Sequence, residues 1–256
     1  MISDEDAKQM FLDAYSILEK HGNNRMLANQ LYRGSNGPYN WENRHPGGCK
    51  RHLMVFNEFN IIPEFCFNCY KVVIEPRTVM ELFKLVLIFL RHELPNDNVR
   101  KCLAEGREQV SGLYKGMIYC LGIDEGEKTL AILKDLVSKE ISSDIPVTLK
   151  RGCSEYALNY PEFSQVKQGR KAMEYKKEWQ KYEDSTDQKM SFNAQTNMKA
   201  SYNHPGYSLR DAEAMFAWLR YAATIGDLSY LKISDYRLDP YQNLKRPTPF
   251  HPVENE

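Results

Sequence analysis

Apolar residues first recur at helical spacing at Met10, Phe11, Ala14, Ile17 and Leu18, one stripe on a helix that Ser3 caps and that ends near His21 and Gly22. A turn-rich stretch follows, from Arg33 through Pro38 to His45-Pro-Gly-Gly48, with loop chemistry throughout. From residue 66 the pattern changes period. Residues 70–75 alternate as a strand and stop at Pro76, and Thr78 with Glu81 forms a capping box that opens a helix running to His92 and Glu93. Its apolar run, Val86 to Leu90, is too short to span a bilayer and reads as a buried core helix. Residues 99–105 and 114–122 are two further strands joined by a polar, hairpin-like connection. Asp124 and Glu127 open a second helix whose Leu130, Leu133, Leu136 and Val137 share a face, and residues 147–150 form a fourth strand.

The order strand, helix, strand, strand, helix, strand predicts an α+β protein with a ferredoxin-like split-βαβ core (βαββαβ). Residues 66–160 form that core, residues 1–65 an N-terminal helix with a loop-rich arm, and residues 161–256 a C-terminal extension that is helical and partly irregular. Within the extension, residues 167–181 carry six basic residues against two glutamates and read as a solvated helix. Residues 184–205 are polar and loop-like, Ser208 caps a helix that stops before Gly226, and residues 236–256 show little pattern.

Composition bounds the function. At 256 residues, 42% apolar and net charge zero, the chain has enough material for a substantial core and no global field for a polyanion. Its acidic N-terminus is no signal peptide, and no apolar run is of membrane length, so a cytoplasmic protein without a membrane partner is expected. In that compartment clustered cysteines read as metal-binding or catalytic.

The cysteines are the strongest local chemistry. Cys66 and Cys69 form a Cys-x-x-Cys knuckle just before the first core strand, and Cys153 follows the fourth. In a split-βαβ sheet the end of the fourth strand lies beside the start of the first, which places these three together. Cys49, in a Gly-Gly-Cys turn, is the fourth ligand, with His45 and His52 as alternatives. Four thiolates at one point suit zinc, and an iron–sulfur cluster uses the same set. Cys102 and Cys120 lie inside strands and read as core packing.

Strand alternation also predicts a basic face. With Tyr70, Val72 and Ile74 toward the helices, Lys71 points outward, as does Lys150, and Arg151 extends the same side. The strand Lys115-Gly-Met-Ile-Tyr119 resembles the lysine–glycine–aromatic strand of RNA-recognition modules, with Met117 where a stacking ring would stand. Lys71, Lys115, Tyr119, Lys150, Arg151 and Lys176 are the candidate nucleic-acid contacts. The expected function is therefore a metal-stabilised binding protein, most directly for nucleic acid. The alternatives are a metalloenzyme or iron–sulfur protein centred on the cysteines, and an assembly subunit that meets a protein partner through its C-terminal extension. No catalytic residues emerge: the chain has no glycine-rich phosphate loop, no Gly-x-Ser-x-Gly and no His-Glu-x-x-His.

Overall fold

The structure, a computed structural model, describes residues 1–21, 40–42, 49–107, 110–164, 173–190 and 207–240. It is a mixed α+β fold around one five-stranded antiparallel sheet. The strands are Asn40–Glu42 (β1), Cys69–Ile74 (β2), Arg100–Ala104 (β3), Tyr114–Leu121 (β4) and Val147–Arg151 (β5), in the order β1-β3-β4-β2-β5. The expected sheet had four strands. The fifth, β1, comes from the arm and adds itself to β3 with Trp41 opposite Cys102. At the other edge β5 pairs with β2, Arg151 opposite Tyr70 and Val147 opposite Ile74.

Alternation gives the sheet two unlike faces. Tyr70, Val72, Ile74, Cys102, Ala104, Tyr114, Ile118 and Cys120 join the main core with the helices Asp4–His21 (α1), Val79–Arg91 (α3), Ile123–Glu140 (α4) and Leu209–Ile225 (α7). Helix α3 is apolar nearly all round, and it is buried from Val79 to Phe89 except at Glu81 and Lys84. Each of its large aliphatic side chains contributes about 1.5–3 kcal/mol by leaving water. Gly116 on β4 makes the close fit possible, because a Cβ there would meet Phe89 Cζ at 3.2 Å and Leu85 closer still.

Local signals set the helix ends. Ser3 Oγ accepts the Asp6 N–H, Thr78 Oγ1 accepts the Glu81 N–H, and Ser208 with Asp211 completes a capping box on α7. Asp227, just past α7, reaches across the core: its Oδ2 accepts both the Val79 N–H (2.6 Å) and the Tyr114 hydroxyl (2.8 Å). The C-terminal segment is thereby fastened to the start of α3 and to β4. At α4 the expected opening residue is displaced. Gly122, at φ +89°, is the N-cap, and Asp124 sits inside the first turn.

A second apolar cluster lies beyond the β2/β5 end of the sheet. It is built from Val55 and Phe56 of the helix Cys49–Phe59 (α2), with Ile61, Ile62, Cys66, Tyr156, Phe163 and Trp179. The expected solvated helix over residues 167–181 is not what its described part forms. The helix Gln180–Met190 (α6) starts later, and Trp179 just before it is buried against Phe67, Tyr160 and Tyr175. Helix α6 also runs into the stretch expected to be loop-like. Residues 191–206 and 241–256, which hold most of the expected irregular extension, lie outside the described residues, as does His45. Among the described residues no helix is long and apolar enough to cross a membrane.

Candidate functional site on the outer sheet face

The face turned away from the main core carries Lys71 and Val73 of β2, Lys101 and Leu103 of β3, Lys115, Met117 and Tyr119 of β4, and Lys150 of β5. Register arranges them in rows across the strands. Tyr119, Lys71 and Lys150 stand side by side, and Lys101, Met117, Val73 and Thr148 form the next row. Val73, Leu103 and Met117 make a small buried apolar cluster of their own, with Tyr119 packed against it. Above this floor is a cavity of ≈ 760 Å³. Its walls come from β1 (Asn40, Glu42), the first turns of α2 (Cys49, Leu53), the Gly152–Ser154 corner and the helix Ser154–Asn159 (α5).

Nearly every cation around this cavity is already engaged. Lys101 pairs with Glu42 at 3.1 Å, and half-exposed Lys150 stands 3.6 Å from Glu75. Lys115 lies 3.5 Å from Glu105; burial pulls its ammonium below the ordinary lysine range, and Glu105 opposes the fall. For Glu105, burial would raise the carboxyl, but the hydrogen bonds and charge of Arg107 outweigh that and hold it below its ordinary value. Arg107 also donates to Glu155 at 2.6 Å, bridging the end of β3 to α5. Arg151 packs against the rings of Phe67 and Phe163, and donates to the carbonyls of Phe67 and Met173.

Lys71 differs from all of these. It is 7% exposed and lines the cavity, and among the described residues it has no ion-pair or hydrogen-bond partner. Its charge acts on the thiols of Cys49 and Cys69, but burial dominates there and pushes them up to about 11 and about 12. These neighbours are neutral thiols at pH 7 and supply no counter-charge.

Five of the six expected nucleic-acid contacts, Lys71, Lys115, Tyr119, Lys150 and Arg151, thus line one concave site. Of these, Arg151 has its guanidinium committed to carbonyls, and Lys176 sits elsewhere, over the ring of Trp179. No family model, curated protein or solved structure matches the chain. The site is therefore read from its own geometry.

That geometry corrects the metal-stabilised reading. Cys49, Cys66, Cys69 and Cys153 do share a neighbourhood: charge on Cys153 would raise the thiols of Cys49, Cys66 and Cys69, and charge on Cys49 those of Cys66 and Cys69. Among the described residues, however, no three His, Cys, Asp or Glu groups converge to hold an ion. The knuckle is split. Cys69 opens β2, whereas Cys66 lies in the turn Glu64–Asn68, its sulfur 3.4 Å from the Tyr156 hydroxyl inside the second cluster. Cys49 begins α2 instead of lying in a glycine turn, and Cys153 precedes α5; both line the cavity. His52 stacks on Phe65, with Arg51, Glu183 and Asp187 around it, and burial lowers it to about 4. The alternative of a metalloenzyme or iron–sulfur protein centred on these cysteines falls with the same finding.

The residues that sequence reasoning missed are Glu42, Lys101, Leu103, Glu105 and Arg107. Lys101 and Leu103 carried a signal, the outward positions of the strand over 99–105; the others acquire their roles only through pairing across strands. One consequence is measurable. With its thiol at about 11, Cys49 is expected to react with iodoacetamide at pH 7.5 at least roughly tenfold more slowly than an ordinary free cysteine, and faster as pH rises toward 10. Peptide mass mapping of the labelled protein reads this, and rapid labelling at pH 7.5 would contradict the buried, neutral thiol.

Proposed function

We propose that the protein binds a small organic anion in the cleft on the outer sheet face, with Lys71 as the charge contact. The observation that carries this reading is Lys71, a residue only 7% exposed whose ammonium opens into the cavity without a carboxylate or carbonyl partner, beside Lys101, Lys115 and Arg151, which each have one. An ammonium held in a walled cavity gives up part of its hydration, and a bound anion offsets that loss where no protein carboxylate does. Concavity supports the reading as well, because a walled cavity with an apolar floor and few free polar groups is the usual form of a small-molecule site.

The scaffold we propose for the cleft is a ferredoxin-like split-βαβ unit. Its support is the order β3-β4-β2-β5, with α3 and α4 as the two crossing helices and β1 added at the β3 edge. Such a label carries no function by itself; the site does.

Calorimetric titration with sodium octanoate and, separately, with pyrophosphate tests the reading. At least one should bind saturably, and Lys71→Met should weaken it about 10–100-fold, the worth of a charged hydrogen bond. Lys176→Met should leave it unchanged. Binding of neither probe, or binding indifferent to Lys71→Met, would refute the proposal.

A further inference from the structure

The division of charge and apolar surface in the cleft narrows the class of ligand. We infer that it is an amphiphilic monoanion, a single carboxylate or sulfonate on an apolar body, with the acid at Lys71 and the body lying along Val73, Met117 and Leu103. This inference rests on the anion-binding reading above and deepens it.

The count of free charge comes first. Lys101 is held by Glu42, Lys115 by Glu105, Lys150 by Glu75 and Arg107 by Glu105 and Glu155. Lys50 is exposed at the rim, and buried Arg151, which also has no acid, is spent on the carbonyls of Phe67 and Met173; that leaves Lys71 as the buried cation with neither an acid nor a carbonyl among the described residues. One such cation complements one negative charge. A polyphosphate would have to draw further lysines away from glutamates that stay buried, and those carboxylates would then repel it: Glu105 is 2% exposed and Glu75 9%.

The floor supplies the other half. Lys71 and Val73 share a face of β2 about 7 Å apart along the strand. Val73 lies opposite Met117, and Met117 opposite Lys101, next to Leu103 on the same face of β3. The three apolar residues are 3–8% exposed and form a cluster separate from both larger cores. An apolar body seated there leaves water while its acid reaches the ammonium, a match that neither a bare inorganic anion nor a neutral alcohol makes at both ends.

The test extends the titrations to acetate, butanoate, hexanoate, octanoate, 1-octanol and pyrophosphate, with the intact chain. Affinity should rise along the carboxylate series by up to about fourfold per buried CH₂. Octanoate should exceed 1-octanol at least tenfold, Lys71→Met should erase that difference, and Lys71→Arg should keep most of it. Pyrophosphate binding as tightly as octanoate, a flat carboxylate series, or equal binding of octanol and octanoate would each overturn the monoanion class. Of these, Lys71-dependent binding of pyrophosphate alone would leave the anion site standing. Lys71-independent binding of every probe would remove both.

Discussion

Replacing Gly152 with alanine is expected to destabilise the protein by about 2–5 kcal/mol, the sum of a backbone and a packing penalty. Gly152 has φ +62°, in the left-handed region where a side chain costs about 1–2 kcal/mol. An added Cβ would also stand 2.8 Å from Phe163 Cζ and closer to Cε1, an overpacking that typically adds about 1–3 kcal/mol. The ring has little freedom to retreat. Phe163 is fully buried, edge-on to Phe67 and Tyr156, and its ring also meets the Arg151 guanidinium at 4.9 Å. The Gly152 N–H also donates to the Cys69 carbonyl at 2.8 Å, tying the corner to the start of β2. Gly226→Ala is the matched comparison. Its φ is +83°, yet nothing lies within 4 Å of the added Cβ, so it should show the backbone penalty alone. Urea denaturation of the two variants reads the difference. If Gly152→Ala lost no more than Gly226→Ala, the close packing of the corner would be disproved. Because Gly152 also lines the cleft, the same variant should loosen the wall that carries Cys153.

Where a segment's signal was local, the sequence was legible. Ser3, Thr78 and Ser208 each announce a helix by capping chemistry, and each makes the hydrogen bond that chemistry requires. The strands around Val72, Cys102, Ile118 and Val147 show themselves by alternation, since one face meets the main core. What stayed illegible depends on distant partners. Three residues make β1, too few for a pattern, and they form a strand because β3 offers an edge. Trp179 sits among lysines, so its surroundings in sequence argue for solvent; Phe67 and Tyr160, more than a hundred and about twenty residues away, bury it.

At the site the same division holds. Outward-pointing Lys71, Lys115 and Lys150 followed from strand period, but which of them keeps a free charge did not. Glu42, Glu75 and Glu105 decide that, and they come from three strand ends. The approach of Cys69 to Cys153 was also legible, because Arg151 opposite Tyr70 sets it, whereas Cys49 comes in on α2. Thiol direction was not. The 3-10 turn at Glu64–Asn68 rotates Cys66 toward Tyr156, and two residues of spacing did not bring the knuckle onto one point. Spacing reports proximity along a chain, whereas ligation requires convergence of side chains.

Glu183→Ala is the second substitution expected to have a large effect, about 3–5 kcal/mol, as for removal of one partner from a buried ion pair. The Glu183 side chain is 4% exposed and accepts three donors: Arg51 Nη1 at 2.7 Å, the Glu64 N–H at 2.8 Å and the Tyr175 hydroxyl at 2.9 Å. Arg51 belongs to α2, Glu64 to the turn before β2, and Glu183 to α6, so one carboxylate joins three segments. Asp187 also accepts two bonds from Arg51, at 2.5 and 2.7 Å, which keeps the guanidinium paired and places the expected loss toward the lower end of the range. Glu183→Gln removes the charge and keeps an acceptor for Glu64 and Tyr175, so it should lose less than alanine does. The effect should reach the cleft, because α2 also carries Cys49 and Leu53 in its wall. Loosening the clamp should therefore speed iodoacetamide labelling of Cys49 at pH 7.5 under conditions where the variant remains folded. A loss below about 1 kcal/mol, with Cys49 labelled no faster than in the parent chain, would show that α2 is held in place without Glu183, by the Arg51–Asp187 pair and the apolar contacts of Val55 and Phe56.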